Sequence, residues 1–322
     1  MTAYPPIAMP SVSLFPKPPY DFSLSAAIFG SGDPYIRTFR NNVFRQVLAS
    51  RNGPVLAEVR STGTIDNPAL SLALFSDKPV SRGQAGETAA LITSMFSLQD
   101  DLSPFYAAVR DDPVLADLTV KLRGVRVPVT PTVFEAVTDS IIEQQISLKA
   151  ARSIENRLIM ITGHQLVLDG LTYYCYPEPE VLAHTPDDIF RACGLTLRKG
   201  EYIRGIARQI LDGDLDLEGF RMRTDTEDII SDLVKIRGIG RWTAELAVIR
   251  GLHRPDAFPA DDVAVRRFIS RFYHNRGKVS SADARLFAER WGAYRGFAAY
   301  YLEVAELLKI EPGNAGNTRA GD

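Results

Sequence analysis

Cysteine is scarce in this chain: Cys175 and Cys193 are the only two in 322 residues. Two thiols cannot furnish a four-cysteine zinc site or hold an iron–sulfur cluster, so both are expected as reduced, buried side chains. Long apolar runs are missing too. No stretch of 18 apolar residues occurs, which leaves no expected membrane-spanning helix. The opening MTAYPPIAMP has neither a charged n-region nor an apolar core and does not read as a signal peptide. There is no internal repeat and no low-complexity segment. A net charge of −2 shows no marked excess of either sign, which by itself argues mildly against a nucleic-acid partner.

What the chain does have is ample apolar content, 45%, and more length than one typical domain needs. Its charge is also unevenly placed. Residues 235–278 carry ten Lys/Arg against four acids, so a neutral-looking total hides a basic segment. Such a run is either a solvated helix face or a phosphate-contacting one.

The organisation predicted from patterning is α+β. Residues 1–11 are Pro-rich and expected to be disordered. Residues 12–100 form a small α+β domain, in which VLAEVR (55–60) and LSLALF (70–75) read as strands. In the same domain, 35–50 and 86–97 read as amphipathic helices. Residues 101–310 are expected to be a helical core, interrupted by a hairpin over 164–179 that turns at Asp169-Gly170. Thr130 with Pro131 would start one helix of that core and Ser147 cap the next, whose buried stripe would be Ile154, Leu158 and Ile161. A polar corner, Glu143-Gln144-Gln145, lies between these two helices. The tail, 311–322, is expected to be flexible.

The most informative stretch is 224–272. Thr224 or Asp225 can cap a helix bearing Ile229, Ile230, Leu233 and Ile236 on one face. Gly238 and Gly240 then break the pattern two residues apart, where positive φ and close approach to another molecule are available. A second helix follows with Trp242, Ala244, Leu246, Ala247 and Ile249. Helix N-termini of this kind present free backbone N–H groups and suit a phosphate. An ordinary glycine-capped helical hairpin would look the same. Past Pro255 and Pro259, Asp261 and Asp262 open a third helix. One acid can cap it while the other faces a cleft.

The strings IRGIGRWTAELA and FPADDVAVRRF together resemble the helix-hairpin-helix DNA glycosylases, most closely the 3-methyladenine DNA glycosylase II (AlkA-type) branch. KPPYDFSL (17–24) and MFSLQDDL (95–102) resemble that branch's N-terminal domain, so the similarity runs over about 17–308. The resemblance implies a helical core of two subdomains flanking an active-site cleft, duplex DNA carrying a damaged base as partner, and a monomer acting without a cofactor in the cytoplasm or on a nucleoid. It implies backbone phosphate binding by the hairpin Gly238, Ile239, Gly240, Arg241 and Thr243, with a monovalent cation as a further option. Asp262, 20 positions after Trp242, takes the catalytic aspartate's place. Gln145 takes that of the residue filling the gap left by a flipped nucleotide. Trp242 stands where strand-nicking members carry a lysine, which implies a monofunctional, water-using enzyme. Trp242 then either walls the base pocket or sits in the core.

Several positions that are aromatic in the AlkA pattern are not aromatic here, at Leu246, Val263, Glu303 and Ile28. Tyr300 and Tyr301 would compensate, and Glu303 either enters the base site or is solvated. The implied activity is release of alkylated, 3-methyladenine-like bases in base excision repair. Deaminated or oxidised bases, or DNA binding without catalysis, are the alternatives.

Overall fold

The computed structural model describes residues 7–8, 11–30, 35–50, 52–274 and 277–313. In chain order the N-terminal part holds β1 (Ile7–Ala8), β2 (Val12–Leu14), α1 (Phe22–Phe29), β3 (Arg37–Arg40), β4 (Val43–Leu48), β5 (Val55–Ser61), β6 (Leu70–Ser76) and α2 (Arg82–Met95). Twelve α-helices and one hairpin follow among the described residues. They are α3 (Ser103–Ala108), α4 (Leu115–Lys121), α5 (Val133–Glu143), α6 (Leu148–Thr162), the hairpin β7 (Gln165–Leu168) and β8 (Leu171–Tyr174), α7 (Pro179–His184), α8 (Asp187–Cys193) and α9 (Leu197–Asp212). Then come α10 (Thr226–Val234), α11 (Arg241–Leu252), α12 (Val263–Tyr273), α13 (Ser281–Ala288) and α14 (Arg295–Leu307).

The sheet is antiparallel, ordered β1–β6–β5–β4–β3, with β2 also on β6. It corrects the reading of 35–50 as a helix, because this segment is the hairpin β3–β4. Asn41 and Asn42 both have positive φ, 52° and 58°, the conformation a two-residue hairpin turn demands. Phe39 pairs with Phe44 and Arg40 with Val43. The apolar spacing there fits a helix by coincidence, whereas the strand buries almost every residue of β4 between two layers. One face packs on α1 and α2 through Phe22, Phe44 and Phe96. The other face meets β7–β8 through Val47, Leu56, Leu166 and Tyr173. Part of the 1–11 segment is ordered as well, since Ile7–Ala8 pairs with Phe75 and Ser76; residues 1–6 and 9–10 lie outside the described residues. The tail expected from 311 onward is described only to 313, where the Gly313 amide donates to Asp117 Oδ2.

The helices bury two separate cores. One joins α5–α11 around Val137, Ile141, Ile203, Ile229, Leu233 and Ala247. The other joins α3, α4 and α12–α14 around Phe105, Leu118, Ile269, Trp291 and Leu302. The chain crosses between them at Ala257 and Phe258, which belong to the first and second core respectively. Asp262 comes four residues after that crossing. Cys175 and Cys193 are free and buried, and burial pushes both thiols up, Cys175 to about 12. No helix among the described residues is long and apolar enough to cross a membrane.

Two local expectations shift. Thr132, not Thr130, caps α5, its side chain accepting the Glu135 amide at 3.1 Å. On α6, Leu158 is buried but Ile161 is 49% exposed, and Ile159 takes its place. The reason is tertiary: Ile36 and Tyr176 arrive from the sheet side and cover Ile159. Beside them, Arg37 reaches from β3 to Glu135 at 3.0 Å and Glu155 at 2.7 Å, joining the sheet to α5 and α6. Asp139 lies 3.6 Å from the same guanidinium and accepts the Tyr176 hydroxyl at 2.8 Å. Burial, and then the Glu155 charge, push its carboxyl well above the usual range.

Candidate active site

The hairpin is α10, a turn at 235–240, and α11. Asp225 caps α10 by accepting the Asp228 amide at 2.8 Å. Gly238 has φ +98°, and a Cβ on it would lie 2.3 Å from the Tyr202 ring, so geometry and space both require glycine. Gly240 differs from expectation: its backbone is extended, φ −90° and ψ 172°, and it is the N-cap of α11. What matters there is bareness. A Cβ would meet nothing within 4 Å, and no side chain caps the helix. The Ala244 amide is the one bonded to Gly240 O, at 2.9 Å, so the amides of Arg241, Trp242 and Thr243 form an open helix N-terminus.

Of the hairpin residues, therefore, the backbone is what a phosphate can reach. Ile239 is buried in the first core and Thr243 is 2% exposed. The Arg241 guanidinium is fully occupied by carboxylates: Nη1 and Nη2 grip Glu227 at 2.6 and 2.8 Å, and Nε holds Glu245 at 3.0 Å. Other cations of the basic segment are also spent internally, Arg250 on Glu143 at 2.8 Å and Arg271 on Glu306 and Glu311. The local excess of positive charge read from the sequence is largely neutralised by acids from outside that stretch.

Asp262 is the N-cap of α12. Its Oδ1 accepts the amides of Ala264 at 2.7 Å and Val265 at 3.2 Å, while Oδ2 accepts the Trp242 indole N–H at 2.9 Å. The division of labour expected between two acids is thus absent. Asp262 both caps the helix with one oxygen and binds the Trp242 indole with the other, and Asp261 is exposed. The helix terminus behind the carboxylate favours its negative charge. Trp242, half-buried, fixes the carboxylate's orientation rather than serving only as core.

Glu303, on α14, is exposed and lies within electrostatic reach of Asp262. Its charged neighbours are Arg250, Asp262, Glu143 and Arg152, from four other places in the helical cores. Its exposure fits the solvated reading of this residue, and its place in a base site stays a proposal. Desolvation, followed by the like charges of Asp262 and Glu143, raises its carboxyl above the ordinary range against the pull of Arg250. Tyr300 adjoins this site with its hydroxyl buried and unpartnered among the described residues, as is that of Tyr20. Tyr301 does not belong here. It is 1% exposed, donates to Val125 O at 2.7 Å and packs edge-on against Phe105. One helical step, about 100°, separates it from Tyr300, so the two cannot share a face. Of the positions lacking an aromatic ring, Val263 is 70% exposed beside Asp262, whereas Leu246 is buried and Ile28 packs at the edge of the second core.

Gln145 is exposed at the corner between α5 and α6, with φ +57°. Its neighbour Gln144, which sequence reasoning passed over, turns inward. The Gln144 amide donates to Gly238 O at 2.9 Å and to Thr243 Oγ1 at 3.0 Å. The doubled glutamine was the only local signal. Nothing in sequence marked the Glu143–Arg250 pair or Lys199, whose ammonium donates to Ile142 O and Gln144 O.

Comparison with known proteins bears on this geometry. The model of the HhH-GPD superfamily of base excision DNA repair proteins matches residues 138–293, from α5 through α13, which includes Gln145, the hairpin and Asp262. A DNA-3-methyladenine glycosylase of Bacillus subtilis is 32% identical over 267 residues, 81% of this chain and 86% of that protein. The chain belongs to the HhH-GPD superfamily. Another member, DNA-3-methyladenine glycosylase 2 of Escherichia coli, is 27% identical over 296 residues, 90% of this chain and 95% of its own. Among solved structures, the 3-methyladenine DNA-glycosylase from Archaeoglobus fulgidus superposes with a TM-score of 0.81 at 25% identity, covering 92% of this chain and 99% of that one. As an HhH-GPD protein the chain is a base excision repair enzyme, so the fold's open hairpin and half-buried aspartate stand in a DNA context.

Proposed function

We propose that the protein is a monofunctional DNA glycosylase that removes alkylated, 3-methyladenine-like bases from duplex DNA by hydrolysing the N-glycosidic bond. The observation that carries this reading is Asp262, a carboxylate locked by two backbone amides and one indole N–H at the boundary of two helical cores. As the C1′–N bond breaks, positive charge builds on the sugar. A fixed carboxylate opposite it lowers that barrier and orients the water that completes the C1′–O bond. The base leaves with the bonding electrons, and an alkylated, cationic base leaves as a neutral molecule.

The remaining roles follow from position. Amides of residues 241–243 hold a backbone phosphate, and Gln145 enters the stack vacated by the extruded nucleotide. Carbonyls of the 236–239 turn are the donor type that suits a monovalent cation. No group of three or more His, Cys, Asp or Glu able to hold a metal occurs among the described residues. Trp242, in the position of the lyase lysine, offers no amine for a Schiff base, so water is the nucleophile and the strand stays intact. Glu303 selects among lesions: a carboxylate in the recess favours cationic alkylpurines over neutral bases. The protein acts as a monomer and needs no organic cofactor.

A second reading, release of deaminated or oxidised bases, is favoured by one specific departure, the replacement of aromatic lining by Val263 and Glu303. A panel of duplexes, each with one defined lesion, separates the two. Abasic sites should accumulate on alkylated substrates. Accumulation only on hypoxanthine or oxidised guanine would move the substrate class, and none on any lesion would refute the glycosylase reading.

A further inference from the structure

We infer that Gln144 is a positioning residue that couples the hairpin's grip on the DNA backbone to insertion of Gln145 into the base stack. This inference rests on the reading that Gln145 enters the stack, and it adds the means by which that residue is held and driven.

Gln144 touches three elements, α5, α9 and the hairpin. It is the C-cap of α5, and its side chain leaves the corner to bridge the hairpin's turn and its second helix. One N–H goes to the carbonyl of Gly238, the positive-φ residue of the turn, and the other to Thr243 Oγ1 in the first turn of α11. Both donors of the amide are therefore consumed at the very segment whose free amides face a phosphate. The backbone of Gln144 is held as firmly. Lys199, on α9, donates to the carbonyls of Ile142 and Gln144 at 2.8 and 2.7 Å, two groups that the end of α5 leaves without helical partners. Fixing the Gln144 carbonyl fixes the peptide plane leading into Gln145. Gln145 itself sits in the left-handed region, which a non-glycine residue keeps only when its surroundings impose it.

The brace closes on itself. Tyr202, one turn after Lys199 on α9, lies against the bare Cα of Gly238. Hence α9 supports the corner at one end and the hairpin at the other, with Gln144 spanning the gap. A displacement of the hairpin on seizing a phosphate has no slack to dissipate into. It moves Gln144, and through one peptide bond it moves Gln145. Coupling of this kind needs contiguous, fully paired contacts, which these four residues supply.

The test uses the whole protein with three probes: undamaged duplex, duplex with an abasic site, and duplex carrying 2-aminopurine beside a lesion. Gln144→Met keeps the side chain's length and removes both donors. Affinity for abasic-site duplex should fall about tenfold, that for undamaged duplex should hold within about twofold, and the fluorescence rise on extrusion should slow. The extrusion defect should shrink when the lesion faces a mismatch, where unpairing costs less. In a Gln145→Ala background, Gln144→Met should have little further effect on extrusion, since it acts through Gln145. Lys199→Met perturbs the same corner from the other side and should give the same pattern, with Lys199→Arg restoring it. Equal weakening on both duplexes, or additive losses in the double variant, would overturn the inference. These binding and fluorescence readouts do not require base release, so they stand apart from a failure of the glycosylase reading.

Discussion

Asp262→Asn removes one charge from the cleft while disturbing the fold little, and the size of its effect follows from the geometry. Asn ranks with Asp as a helix N-cap, so the amide oxygen can keep the Ala264 and Val265 amides. Its NH2 would then face the Trp242 indole N–H, two donors in opposition. That mismatch costs on the order of 1 kcal/mol and should appear as a small loss of Tm. The catalytic cost is larger. A full charge about 4 Å from the developing cation, at an effective dielectric of about 20, contributes roughly 4 kcal/mol. At about 1.4 kcal/mol per decade, base release should slow by roughly 10³-fold. Single-turnover release of methylated bases from alkylated duplex, followed chromatographically, reads the rate, and thermal melting with abasic-duplex binding checks that fold and affinity survive. Asp261→Asn is the control: the residue is exposed, and its rate should stay within about threefold of the parent. Near-parental release by Asp262→Asn, or an equal loss in Asp261→Asn, would refute the assignment.

Further expectations concern the rest of the site. Borohydride should trap no covalent complex with lesion-bearing DNA, because Trp242 offers no amine, and a cross-linked band would contradict water as nucleophile. Gln145→Ala should weaken binding to abasic-site duplex more than to undamaged duplex, and equal weakening would remove it from the stack. Glu303→Gln should lower release of cationic lesions more than neutral ones, since it withdraws a negative charge from the recess; identical responses would place selectivity elsewhere. Gly238→Ala forces a Cβ into the Tyr202 ring at a left-handed φ. It should destabilise the protein by at least about 1 kcal/mol, measured by denaturant midpoint, and an unchanged midpoint would mean the turn relaxes freely.

How far the chain could be read before its structure was known depends on whether a feature is local. The hairpin helices, the Asp225 and Ser147 caps, the Asp169-Gly170 turn and the Asp262 helix start all use signals within a few residues, and each lies where spacing placed it. The Asn41-Asn42 pair was a local signal as well, a hairpin turn overlooked because β4 is buried on both faces and so lost its alternation. Tertiary structure alone decided the rest. Periodicity describes a helix face without saying what will cover it, so Ile159 displaced Ile161 and Tyr301 went to the core while Glu303 stayed exposed. Charge along the sequence likewise ignored the acids that fold back on Arg241, Arg250 and Arg271. The pairing of Asp262 with Trp242, and of Gln144 with Gly238 and Thr243, spans 20 and about a hundred residues. Such contacts depend on how two cores dock, and no window of sequence contains that information.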